Sequence, residues 1–106
     1  MTTRFGFRAA FFLTALLCSS AQAAVYVVNV TDQDLPDANV GVAGCDVFVG
    51  VAGDQCTLRA AVMEANATPG ADTIVLPANE TIVLTIPSSG TETATGQLHI
   101  AAPVSI

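Results

Sequence analysis

The sequence contains no lysine, and its three basic side chains, Arg4, Arg8 and Arg59, face nine acidic ones, for a formal net charge of −6. Arg4 and Arg8 both lie within the segment 1–23. Loss of that segment would leave Arg59 as the sole cation and bring the charge to −8. Nucleic acids and anionic membranes are bound through clustered Lys and Arg, so neither is an expected partner. No apolar run reaches the ~20 residues that a membrane-spanning helix needs. The single histidine, His99, has no evident partner with which to act as a general base. Alternation puts it opposite Leu98 and Ile100, on an exposed face. The nucleophile-elbow, zinc-protease, phosphate-loop and dinucleotide patterns are all missing.

The segment 1–23 follows the plan of a secretory signal peptide. Arg4 and Arg8 supply a basic start, Ala9 to Cys18 an apolar stretch, and Ala21-Gln22-Ala23 the small-x-small pattern of a cleavage site. Cleavage is expected after Ala23, with export to follow. The chain that remains, 24–106, is long enough for one small domain of marginal stability. Cys45 and Cys56 remain in that part, and an oxidising compartment makes a disulfide their expected fate. A zinc site would need four ligands, and His99 is far from the cysteines along the chain.

Residues 24–31 (AVYVVNVT) are β-branched and read as a strand, followed by a polar loop through Asp32, Asp34 and Asp37. The glycine-rich stretch 41–53 reads as a loop holding a short strand at 46–49. The period then changes. Leu58, Ala61, Val62 and Ala65 share one face of a helix over 57–67, with Arg59, Glu64 and Asn66 on the other side. Thr57 is the expected N-cap, and Pro69-Gly70 the stop. Four short apolar runs follow at 73–76, 81–86, 97–100 and 104–106, with Pro77, Pro87 and Pro103 at their edges. The first two, DTIVL and ETIVL, are near copies in close succession, which suits two faces of one coil turning at 77–79. The run starting at Gln97 lies a full coil beyond Thr73 and would stack on the first run in parallel.

Cys56-Thr-Leu-Arg-Ala-Ala-Val62, followed by Glu64-Ala-Asn66, Pro69-Gly70 and Asp72-Thr-Ile74, resembles the CSLREA domain family. The resemblance reaches back to the strand at residue 25 and covers most of the chain beyond the leader. It implies the N-terminal module of a secreted or surface-displayed bacterial protein with a right-handed parallel β-helix, and no enzymatic activity. The family's Ser-x-x-Glu after the cysteine is a capping box, in which hydroxyl and carboxylate each take up a free backbone amide. Thr57 keeps the first half, and Ala60 replaces the glutamate. A chemical role for that glutamate would leave this chain inert, whereas a capping role costs it about 1 kcal/mol.

The fold expected is therefore mainly β: a cap over 24–72, made of a strand, a disulfide loop and one helix, leading into the first one to two β-helix coils over 73–106. Stacked coils bury their core between neighbours and usually need three or more, so the chain is expected to be truncated. Its partners would be further coils, or a self-associating copy at the open C-terminal edge, with a carbohydrate or host-surface ligand as a further candidate. The function expected is non-catalytic capping, with no cofactor. The alternative is the N-terminal fragment of a polysaccharide-active enzyme whose catalytic coils lie beyond Ile106. Arg59 is expected to pair with Asp54 or Asp72. Asp32, Asp34 and Asp37 form D-x-D-x-x-D, a candidate Ca²⁺ loop that lacks the EF-hand glycine and glutamate and reads better as a solvated acidic turn.

Overall fold

The computed structural model describes residues 22–42, 44–87 and 93–106. Nearly all of the expected leader, residues 1–21, lies outside the described residues. Among those described, the regular structure consists of β1 (Val25–Val27), α1 (Leu58–Ala67), β2 (Asp72–Val75) and β3 (Val104–Ser105), with a 3₁₀ turn at Thr93–Thr95. The strands form one parallel sheet in chain order. Val25 pairs with Thr73, Tyr26 with Ile74 and Val27 with Val75, and on the other side of β2 Asp72 pairs with Val104 and Thr73 with Ser105. Parallel neighbours require long crossovers, and α1 lies in the first of them.

Alternation along β1 and β2 turns Tyr26, Val28 and Ile74 inward, where they meet Ala60, Ala61, Val62 and Ala65 of α1 together with Cys45, Val47 and Cys56. The opposite face keeps Val25, Val27 and Val75 exposed. Small side chains on α1 allow close approach to the sheet, so one short helix and short strands suffice to enclose an apolar core. Thr57 caps α1 as expected, its Oγ1 accepting from Ala60 N at 3.0 Å. The helix ends at Thr68, ahead of Pro69 and a left-handed Gly70 (φ 117°). A turn at 78–79 places Asn79 in the left-handed region (φ 61°), which asparagine tolerates better than most residues.

Several expected elements differ. Residues 46–49, 81–86 and 97–100 are not strands, and β2 takes β3 as its second neighbour, Asp72 beside Val104, rather than the run at 97–100. Side chains explain this, because they hold backbone groups that a sheet ladder would otherwise use. Asp34 takes the amides of Thr85 and Ile86, Asn66 takes both His99 O and Ala101 N, and Thr93 Oγ1 bonds both the carbonyl and the amide of His99. Arg59 and Glu64, on the side of the helix opposite Leu58, Ala61, Val62 and Ala65, do not face solvent. Both are buried, at 0% and 3% exposure. Such burial requires partners, and these define the centre of the molecule.

Candidate functional site

The polar centre is built on Arg59 in the first turn of α1. Its Nε donates to Asp34 Oδ1 at 2.6 Å and its Nη2 to Asp34 Oδ2 at 2.9 Å, a two-point pairing, while Nη1 donates to Thr93 O. The expected partners Asp54 and Asp72 are replaced by Asp34, because the loop after β1 folds over α1 and brings the aspartate within reach. Asp34 Oδ2 accepts two further bonds, from Thr85 N at 2.6 Å and Ile86 N at 3.0 Å. The carboxylate thus receives four donors, one on Oδ1 and three on Oδ2. The Arg59 bonds, aided by those two amides, outweigh burial and hold the Asp34 carboxyl below the usual carboxylate range. Four chain segments meet at this pair, so it acts as a clamp.

A second buried acid lies one turn and a half further along α1. Glu64 Oε1 accepts from Gly41 N at 2.9 Å, and the Asp37 carboxylate is close enough to act on the Glu64 carboxyl electrostatically. Gly41 reaches this position with φ 81°, a conformation glycine adopts without strain. Burial, with the Asp37 charge beside it, pushes the Glu64 carboxyl up to about 7 against the opposing Gly41 amide. Asp37 is itself tied to the backbone, Oδ1 to Asn39 N at 2.6 Å and Oδ2 to Asp46 N at 3.2 Å. The D-x-D-x-x-D run is therefore not one solvated turn. Asp32 is exposed, Asp34 is bound to Arg59, and Asp37 organises the loop beyond. Among the described residues no group of three or more His, Cys, Asp or Glu side chains is placed to hold a metal ion.

Cys45 and Cys56 form a disulfide with Cα atoms 5.1 Å apart, closing the loop between them. The loop is laced inside by Val47 N to Gln55 O, and by Asp46 Oδ1, which accepts from Phe48 N and Gln55 N. Asn29, just past β1, binds it from outside: its Oδ1 accepts from Cys56 N at 2.7 Å and its Nδ2 donates to Asp54 O at 2.8 Å. Asn29 and Asn66 each act as a substitute strand, offering one donor and one acceptor to a passing backbone. Sequence reasoning missed the role of Asn29, and a lone asparagine after a strand carries no signal that would reveal it. An open groove runs along the free edge of β1, lined by Val25, Val27, Asn29, Gly44 and Asp54. His99 is exposed.

The chemistry of this centre is that of fastening. Asp34, Asp37 and Glu64 each accept backbone N–H groups, and Asp34 holds the Arg59 cation as well. Comparison with protein-family models, curated proteins and solved structures gave no match to this chain. The fold is a small, mainly β arrangement with a three-stranded parallel sheet and one short helix, stapled by a disulfide. No helix among the described residues is long and apolar enough to cross a membrane.

Proposed function

We propose that this chain is the non-catalytic N-terminal capping module of a secreted or surface-exposed bacterial β-helix protein, in keeping with its resemblance to CSLREA domains. The observation that carries this reading is the order of the sheet. Three parallel strands follow one another in chain order, one per pass, which is how the coils of a solenoid stack. The disulfide loop is bonded to the chain just past β1, through Asn29 and Val30, at the end of the sheet where a solenoid needs protection against edge-to-edge pairing. β3 is the side on which further strands would add. The buried acids support a structural role, since each is committed to backbone amides and turnover would need one of them released.

Urea unfolding and sizing of the exported chain, alone and joined to the coils encoded downstream of it, test this reading. Added coils should raise the unfolding midpoint and sharpen the transition. A chain that is monomeric, cooperatively folded and no more stable with its downstream coils would refute the capping role.

A further inference from the structure

The register of β1 on β2 brings the residue before the strand to the side of Asp72. Val25 pairs with Thr73, Thr73 N donates to Ala24 O at 2.8 Å, and Ala24 N donates to Asp72 Oδ1 at 2.8 Å. Asp72 is 1% exposed, and its other oxygen, Oδ2, is buried without a hydrogen-bond partner. Buried polar atoms are nearly always bonded, and an orphaned carboxylate oxygen asks for a donor. The amide of Ala24 has one N–H and has already spent it. Gln22 and Ala23 are exposed and Ala24 is half-buried, so the chain enters the fold at the Ala23–Ala24 bond, the expected cleavage point.

We propose that Asp72 is the receptor for the α-ammonium group of Ala24, released when the leader is cut after Ala23. This rests on the secreted reading above. Hydrolysis consumes one water: the Ala23–Ala24 C–N bond breaks, the water's hydroxyl joins the Ala23 carbonyl carbon, and its hydrogen goes to the Ala24 nitrogen. The new acid then gives its proton to the new amine, leaving an Ala23 carboxylate on the departing leader and an Ala24 ammonium on the folded chain. One donor has become three. Oδ1 keeps its partner while a second N–H reaches Oδ2 by rotation about the N–Cα bond, and a contact between an amide and an anion becomes an ion pair. The sheet is thereby locked at its first residue, and the precursor is less stable than the processed protein.

The absence of lysine makes this testable with unusual directness, since the processed chain has only one amine. The full chain, leader included, is produced in an exporting bacterial host and the product is weighed intact. It is then acetylated with an amine-reactive ester near neutral pH, once folded and once in urea. A mass beginning at Ala24 is expected, with labelling at least about tenfold slower in the folded protein, because an ammonium held by a buried carboxylate is that much less often the free base that reacts. Asp72→Asn should label nearly as fast folded as unfolded. Acetylated wild type, refolded, should unfold at a lower urea concentration than the free-amine form; this comparison decides the matter should Asp72→Asn fail to fold. A mass beginning at another residue overturns both the cleavage reading and the ion pair. The correct mass with equal labelling rates, or with equal midpoints for free and acetylated chains, overturns the ion pair alone.

Discussion

Asp34→Asn keeps the shape of the side chain and deletes its charge, which makes it the sharpest probe of the clamp. The carboxylate receives four donors, three of them on Oδ2. An amide in its place must set its NH₂ against either those three donors or Arg59 Nε, so at least one bond becomes a donor-to-donor contact. Arg59, at 0% exposure, would then carry a buried charge that has lost its ion-pair partner among the described residues. Breaking a buried pair from one side costs about 3–5 kcal/mol, whereas replacing both partners by apolar groups of similar volume is often near neutral. A domain of this size commonly has a total stability on the order of 4–12 kcal/mol, so Asp34→Asn should consume about a quarter of it or more. Urea unfolding followed by circular dichroism, with disulfide intact, should show the midpoint falling by several molar at a slope of about 1 kcal/mol/M. Asp34→Leu combined with Arg59→Met should recover most of the loss. A cost for Asp34→Asn under about 1 kcal/mol, the range of exposed ion pairs, would refute the clamp.

Glu64 gives the stability its pH dependence. Its folded value is raised to about 7, so its contribution is complete below the ordinary glutamate range and is lost as pH rises through 7, by up to about 3 kcal/mol. Glu64→Gln, which can still accept from Gly41 N, should flatten the decline between pH 5 and 8, and parallel profiles for the two proteins would refute this. Asp34 sets the acid limb, because its lowered value means that its stabilisation disappears only as pH falls through that depressed range. Reducing and alkylating Cys45 and Cys56 should cost about 3 kcal/mol on the chain-entropy estimate, read as a fall in the thermal or urea midpoint. Thr57→Ala removes both the helix cap and the hydroxyl bond to Leu35 O, for a loss of about 1–2 kcal/mol that Thr57→Ser should largely restore. Millimolar Ca²⁺ should leave the midpoint unchanged, because the oxygens of Asp34 and Asp37 are already taken up by Arg59 and by backbone amides; a clear upward shift would revive the calcium loop.

Local signals were legible from the residues alone. The 3.6-residue period at Leu58, Ala61, Val62 and Ala65, a hydroxyl at Thr57 and a Pro-Gly stop all act between near neighbours in the chain, and they define α1 almost to its ends. The strands at 25–27 and 72–75 and the pairing of Cys45 with Cys56 were equally readable, because β-branched runs and two lone cysteines admit few alternatives. Short apolar runs were less informative. Residues 81–86 and 97–100 have the composition of strands, yet Asp34, Asn66 and Thr93 occupy the backbone groups a strand would have offered.

What the sequence by itself determined is thus a helix, its cap, its disulfide and the strands on either side. Only the tertiary structure decided which acid Arg59 meets, that α1 buries charge as well as alanine, and that β2 lies between β1 and β3. The physical reason is range. Period and capping are settled between neighbours along the chain, whereas Asp34 and Arg59 stand 25 residues apart and Ala24 and Asp72 stand 48 apart. A carboxylate chooses its partner by what the folded chain brings to it once water has been excluded, and no spacing of residues announces that choice in advance.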